Sequence, residues 1–226
     1  METRAETKVC SSSGTPFVAR EAVYSVIAGL AALTSVGIWL LMVVDEGQNI
    51  GAATVQLGVK FTNVTVLLVG VVAAWIASGR SPGHARAVAH LTVMLMAVVT
   101  AVVNATLLDP ALPEGWWGVV DLSQHYVIPL AVVASWATLG PSVDVPRSRL
   151  GLILIVPLAW FVFVLVRGLT TDSYPYDFVD VAENGWPNVL ATVAAIVVFM
   201  FALGAGAATV DRRRHEVRVA TNRRHG

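Results

Sequence analysis

Cysteine and charged residues are both scarce in this sequence, and each scarcity excludes a class of protein. Cys10 is the single cysteine among 226 residues, so an internal disulfide is impossible and no cysteine cluster predicts a structural metal site. Charged residues make up 13% of the chain and hydrophobic residues 56%. This is too little charge to cover the surface of a soluble domain, so we expect an integral membrane protein.

A net charge of one sign is missing as well, and so are two common catalytic motifs. The 15 basic and 15 acidic residues cancel, so no overall basic field favours a nucleic-acid partner. Neither the HExxH motif of zinc proteases nor the GxSxG motif of serine hydrolases occurs in the sequence. We therefore predict no metal, no cofactor and no nucleic-acid binding.

What the sequence does contain is a series of long apolar stretches. A helix that crosses a bilayer needs about 20 mostly apolar residues, and six stretches meet that need. Turn or helix-stop residues separate them: Gly47-Gln48-Asn49, Ser81-Pro82-Gly83, Asp109-Pro110, Gly140-Pro141 and Tyr174-Pro175. The predicted spans are Ala22 to Val44, Val55 to Ser78, Ala87 to Leu108, Ser123 to Leu139, Leu150 to Arg167 and Asn188 to Val210.

The predicted fold class is therefore all-α, a polytopic membrane protein with six transmembrane helices. One six-helix domain, residues 22–210, lies between an N-terminal segment, residues 1–21, and a basic tail, residues 211–226. The first span is longer than the apolar core of a signal peptide, so we expect it to stay uncleaved. We see no internal repeat that would divide the chain further.

The distribution of lysine and arginine predicts the orientation of these spans. With six spans, all basic residues except Lys60 and Arg167 fall on one side of the bilayer, and acidic residues collect in the opposite loops. Short loops rich in lysine and arginine stay in the cytoplasm. We therefore expect both termini in the cytoplasm of a cell whose plasma (inner) membrane holds the protein. The basic tail is expected either to contact anionic headgroups or to be a solvated tail.

Four predicted spans carry a polar side chain near their outer ends: Thr62, Asn104, His125 and Asn188. Polar groups inside a span are costly, and groups that converge are candidates for a functional site. Thr62 and His125 are the most informative pair, because a hydroxyl is a poor nucleophile until a base such as histidine removes its proton. Asp121, four residues before His125, is placed to orient the imidazole. The alternative is a solvated interfacial His–Asp pair beside an ordinary packing threonine, and spacing alone favours it.

The remaining outer residues have structural explanations beside functional ones. Lys60 is expected either to extend toward the headgroups or to bind a substrate carboxylate, a role also open to Arg167. Tyr174 and Tyr176 fit an aromatic belt at the outer interface.

Three motifs resemble the androgen-induced-gene and androgen-dependent TFPI-regulating protein family, in particular its bacterial integral-membrane branch. The first is Lys60-Phe61-Thr62 in the second span. The second is His125-Tyr126-Val127-Ile128-Pro129-Leu130, followed by Trp136 and Gly140-Pro141. The third is Tyr174-Pro175-Tyr176-Asp177-Phe178-Val179-Asp180, with Gly185 before the last span. Val66 and Ser135 depart from the branch's pattern, which has Asn and Asp there.

The resemblance implies an intramembrane threonine hydrolase, since animal members of the family cleave fatty acid esters of hydroxy fatty acids. It implies Thr62 as the nucleophile and His125 as its catalytic partner. In this hypothesis Asn63, Asn104 or Asn188 supplies the oxyanion donor, and Asp121 supports the histidine. Tyr174, Tyr176 and Asp180 of the third motif, together with Lys60 and Arg167, are the candidates for substrate binding.

Sequence analysis thus leaves two hypotheses of different classes. The first is a hydrolase of lipid esters that forms an acyl-enzyme on Thr62, with its substrate drawn from the surrounding membrane lipids. The second is a non-enzymatic membrane protein that binds or transports a lipid or small solute at the outer polar layer. Inverted repeats and helices broken near the midplane are typical of transporters, and neither is evident in this sequence. The oligomeric state is open in both hypotheses.

Overall fold

The computed structural model describes residues 15–79, 83–108, 112–139 and 145–225, and every regular element within those ranges is helical. The elements are α1 (Thr15–Val44), α2 (Ile50–Val59), α3 (Phe61–Ala77), α4 (His84–Leu107), α5 (Gly115–Leu122), a π-helical turn (Ser123–Val127), α6 (Ile128–Leu139), a 3-10 helix (Arg147–Leu154), α7 (Ile155–Thr171), a second 3-10 helix (Asp177–Val179) and α8 (Val181–His225). The predicted breaks at Ser81-Pro82, Asp109-Pro110 and Gly140-Pro141, and residues 1–14 of the predicted N-terminal segment, lie outside the described residues.

Among the residues that the structure describes, five helical segments are long and apolar enough to cross a membrane, and a sixth candidate is the bent pair α2 and α3. The all-helical membrane fold is thus supported, with five or six candidate spans. The bent pair corresponds to the predicted second span, which we expected to be a single helix. Instead the two helices meet at an angle of 89°, because Lys60 between them has an extended backbone (φ −84°, ψ 126°).

The centre of the bundle is α4, and 72% of its apolar segment is buried. It packs against α3, α6 and α8, while α1 lies along α3. The 3-10 helix Arg147–Leu154 contacts both α4 and α8. Close approach there depends on Gly204 of α8, since a Cβ atom at this position would come within 3.1 Å of the Leu95 side chain. Small residues at helix contacts allow such close packing.

The segment that carries His125 combines α5, a π turn and α6. Pro129 cannot donate a backbone hydrogen bond, so the carbonyl of His125 lacks its usual partner four residues later. The chain widens instead, and the Ile128 amide donates to the carbonyl of Ser123, five residues back. Single π turns inside helices often occur at functional sites, and this one turns His125 into the bundle.

The predicted basic tail continues α8 rather than starting a separate segment. Asp211, its first residue, is buried and its carboxylate accepts a hydrogen bond of 3.1 Å from the Trp136 indole. Arg214 stacks over the same indole ring at 5.0 Å. The tail is therefore attached to α6 at its base by both a hydrogen bond and a cation–π contact.

Candidate functional site

The hydroxyl of Thr62 and the imidazole of His125 meet in the interior of the bundle. Thr62 Oγ1 lies 3.5 Å from His125 Nε2, and each residue is 8% exposed. A separation of 3.5 Å is at the outer limit of a hydrogen bond. Catalytic hydrogen bonds in proteins without substrate are often this long and shorten when substrate binds. A shortening of a few tenths of an ångström brings the pair within the roughly 2.6–3.2 Å that proton transfer to a general base requires.

The other nitrogen of the imidazole faces a carboxylate. His125 Nδ1 lies 3.0 Å from Asp121 Oδ1, although the oxygen is off the axis needed for a hydrogen bond. A proton on Nδ1 leaves Nε2 unprotonated, which is the tautomer required to accept the proton of Thr62. The three side chains are therefore ordered as nucleophile, base and carboxylate.

A third polar group touches Thr62, and it comes from the segment between α7 and α8. The hydroxyl of Tyr176 lies 3.5 Å from Thr62 Oγ1. Burial raises the pKa of the Tyr176 phenol above its ordinary value, and hydrogen bonds from Thr62 and from the Phe61 backbone oppose that rise without reversing it. Tyr176 is therefore a neutral hydrogen-bond donor at physiological pH.

Residues 172–180, which we term the strap, include Tyr176. Contacts near the start of this segment hold it against α7. Asp172 ends α7 in a left-handed conformation (φ 51°), and Arg167 donates a 2.6 Å hydrogen bond to the carbonyl of Ser173. The ring of Tyr174 packs directly over Gly168, where any Cβ atom would overlap it. These contacts turn the chain back over the bundle and set the position of Tyr176.

A polar cavity of about 270 Å³ opens beside the Thr62–His125 pair. Asn63 and Asn104 line it and are almost fully buried. Asn63 accepts a 2.8 Å hydrogen bond from Gln124, but the Nδ2 atoms of both asparagines have no hydrogen-bond partner among the described residues. Buried donors without partners are costly, so the cavity is suited to a molecule that supplies oxygen acceptors. Lys60 and Asp121 line the same cavity and bring charges of both signs to it.

An apolar pocket of about 70 Å³ lies on the other side of Thr62, among α3, α4, α7 and α8. Aliphatic and aromatic side chains supply nearly all of its surface; among them are Val99, Val103, Leu158, Phe161, Val193 and Ile196. Thr62 and Tyr176 belong to the walls of both the pocket and the polar cavity. The nucleophile candidate therefore stands where a space suited to a hydrocarbon chain meets a space suited to polar groups.

Three predicted site residues have local structural roles instead of contacts with Thr62. Asp180 caps α8, accepting a 2.8 Å hydrogen bond from the Ala182 amide. Asn188 is exposed and donates to the carbonyl of Asn184. Arg167 holds the strap, as described above. The other predicted residues, apart from Tyr174, meet around the polar cavity: Thr62, His125, Asp121, Asn63, Asn104, Lys60 and Tyr176. Tyr174 contacts Gly168 instead and helps to hold the strap that carries Tyr176.

The break at Lys60 was not predicted from the sequence. Tyr176 was predicted as a substrate-binding candidate, but its contact with Thr62 was not. A signal for the break was present, since the stretch from α2 to the end of α3 spans 28 residues, more than the roughly 20 that a straight span needs.

Comparison with known proteins adds no assignment. No protein-family model, curated protein or solved structure matches the chain. The resemblance of the three motifs to a known family therefore stays a prediction, and the chemistry of the site rests on its geometry.

Proposed function

We propose that this protein is an intramembrane hydrolase of lipid esters in which Thr62 is the nucleophile and His125 the general base. The observation that supports this most directly is the contact of 3.5 Å between Thr62 Oγ1 and His125 Nε2. Asp121 on the far side of the ring completes the order of groups that activates a hydroxyl nucleophile. This is also the pair implied by the family resemblance.

The reaction proceeds through an acyl-enzyme. Thr62 Oγ1 bonds to the ester carbonyl carbon, its proton passes to His125 Nε2, and an electron pair of the carbonyl double bond moves to the oxygen. The bond from carbon to the alcohol oxygen then breaks, and His125 returns the proton to the departing alcohol. In the second half, water loses a proton to His125 and attacks the acyl group. Departure of Thr62 with that proton releases the fatty acid.

The two spaces that meet at Thr62 support a lipid ester as substrate. The apolar pocket suits the carbons of the acyl chain next to the ester, and the polar cavity suits the alcohol part and the attacking water. Lys60 at the cavity wall suits an anionic group on the alcohol part. Fatty acid esters of hydroxy fatty acids combine these parts, since an acyl chain is esterified to a hydroxyl of a second chain that ends in a carboxylate.

The proposed setting is the plasma membrane, with six spans, both termini in the cytoplasm and the site toward the extracytoplasmic side. The distribution of basic residues supports this orientation. Many large apolar side chains of α1, α7 and α8 face outward from the bundle, as expected for surfaces in contact with lipid. Substrate then reaches the site laterally from the outer leaflet, and water reaches it through the polar cavity.

Hydrolysis by purified protein in lipid nanodiscs tests the proposal. The substrates are fatty acid esters of hydroxy fatty acids and simple lipid esters, and the variants are Thr62→Ala and His125→Ala. We expect both variants to lose turnover, while the control Thr65→Val keeps it. Thr65 is the matched control because it is a buried threonine of the same helix whose hydroxyl donates to the Phe61 carbonyl. Undiminished turnover in both variants would refute the proposal.

A binding or transport role is the competing function, and the unpartnered Asn63 and Asn104 amides are the observation that favours it. Labelling with a fluorophosphonate probe separates the two functions. Covalent label that disappears in Thr62→Ala supports the hydrolase. Tight lipid binding without any label supports the binding role instead.

A further inference from the structure

Thr62 lies at the start of a helix, and this changes the electrostatics around it. It is the second residue of α3, whose first residue is Phe61. The first amides of a helix lack partners within the helix, and the aligned peptide dipoles place partial positive charge there. Lys60, the residue before the helix, provides no side-chain cap. The amides at this end are therefore available to another oxygen.

The hydroxyl of Tyr176 lies at this end of α3, near the backbone of Phe61 and Thr62. Its oxygen is therefore close to the partial positive charge at the start of the helix. Thr62 Oγ1, at 3.5 Å, is the polar side-chain atom that it meets.

Two aromatic side chains, Phe178 and Trp160, pack against the ring of Tyr176. It stacks on Phe178 at 5.3 Å with an angle of 7° between the rings, and it lies 6.1 Å from the Trp160 ring. Trp160 is itself fixed at the helix break, since its indole donates a 3.2 Å hydrogen bond to the carbonyl of Val59. The hydroxyl is therefore held in place before any substrate binds, which is what efficient stabilisation of a developing charge requires.

We propose that Tyr176 is a catalytic residue that donates its hydroxyl hydrogen to the oxyanion formed when Thr62 attacks the ester. This inference rests on the proposed hydrolase function and names the donor that sequence analysis left among three asparagines. In the tetrahedral intermediate the oxyanion is two bonds from Thr62 Oγ1, within reach of a donor that already contacts that atom. The start of α3 lies beside this donor, so the partial positive charge of the helix end adds to the stabilisation of the oxyanion.

The positions of the two cavities favour Tyr176 over Asn63 and Asn104. The ester carbonyl must lie where the acyl pocket and the polar cavity meet. Tyr176 lines both spaces, whereas the two asparagines line the polar cavity alone. Their free amide donors are placed to bind the alcohol part of the substrate or the attacking water.

The variant Tyr176→Phe in the full-length protein tests this assignment, with Ser173→Ala as the control, because Ser173 belongs to the same strap and its side chain is exposed. Loss of one oxyanion donor lowers kcat by about 10²–10³-fold, and KM should change little because the oxyanion exists only in the transition state. Ser173→Ala should keep its kcat. A Tyr176→Phe variant that is folded by circular dichroism and retains the wild-type kcat would overturn the assignment.

A second experiment changes the acidity of the Tyr176 phenol and keeps the shape of its side chain. Replacing Tyr176 by a fluorotyrosine lowers the pKa of the phenol with almost no change in volume. A donor must be protonated, so the alkaline loss of kcat should move to lower pH in the fluorinated protein. An unmoved alkaline limb overturns the assignment even if Tyr176→Phe fails to fold. The outcomes also separate the two proposals: a wild-type protein without Thr62-dependent turnover overturns both, whereas normal turnover in Tyr176→Phe overturns only the oxyanion assignment.

Discussion

Gly168 of α7 is the residue whose replacement tests most sharply how the strap controls the site. In Gly168→Ala, the new Cβ atom would overlap the ring of Tyr174. The overlap is with the body of the ring, so the Tyr174 side chain must move as a whole and carry the strap with it. Tyr176 lies two residues further along the same segment.

Two energy terms of opposite sign decide the effect on stability. Alanine in place of glycine inside a helix stabilises by about 0.8–1.0 kcal/mol. Forcing an extra carbon into a packed site costs about 1–3 kcal/mol. The second term is larger, so we expect a small net destabilisation, visible as a lower midpoint of thermal unfolding. Activity should suffer more, because a displacement of about 1 Å in a catalytic group reduces the rate by about 10²-fold.

The assay is kcat for ester hydrolysis in nanodiscs, measured beside thermal unfolding. Gly206→Ala in α8 is the matched control, because nothing lies within 4 Å of its added Cβ atom. We expect that control to keep its activity. The double variant Gly168→Ala with Tyr174→Ala removes the overlap and should recover part of the lost stability. If Gly168→Ala has both the wild-type kcat and the wild-type unfolding midpoint, the role given to the strap is wrong.

Three further predictions concern the groups around Thr62. Thr62→Ser keeps the hydroxyl and should retain both probe labelling and measurable hydrolysis; complete loss of label would contradict the nucleophile assignment. Asp121→Asn should lower kcat by about tenfold, equivalent to roughly 1.4 kcal/mol. The effect is modest because the carboxylate is 26% exposed, and a loss of kcat as large as that of His125→Ala would contradict this prediction. Asn104→Leu removes a buried donor that has no partner among the described residues. Its removal should raise the unfolding midpoint, because it relieves a cost of about 1–3 kcal/mol, and it should raise KM for esters with polar alcohols. A lower midpoint with unchanged KM would contradict that prediction.

The apolar helices were predictable because their signal is local. An apolar stretch of suitable length bounded by turn residues indicates a span, and α4 (His84–Leu107) matches the predicted span from Ala87 to Leu108 closely. The orientation of the spans and the count of six remain predictions from the basic residues. The bend at Lys60 was harder to predict, since the glycine before it, Gly58, is isolated and a single glycine is tolerated inside a helix.

The site itself was partly predictable from depth along the helices. Counting residues from the outer ends placed Thr62 and His125 in one layer, and the structure brings them into contact. The partners of Asp180 and Asn188 were not predictable in this way, because short polar side chains near helix ends readily bond to nearby backbone groups. The contact of Tyr176 with Thr62 was not predictable either, because the two residues lie 114 positions apart and the strap brings them together.

The broken helix and the strap tyrosine meet at the site. Breaking a helix at membrane depth exposes backbone groups that lipid cannot satisfy, and such breaks are tolerated only where the backbone is buried in protein or lines a cavity. Here the Trp160 indole satisfies the carbonyl at the end of α2, and the Tyr176 hydroxyl lies beside Thr62 at the start of α3. The same break places Thr62 at the positive end of a helix and beside a polar cavity. A straight second span would leave Thr62 in the middle of a helix, where the neighbouring amides are already engaged and an oxyanion has no backbone charge to stabilise it. The break is therefore best understood as the structural condition for the proposed chemistry.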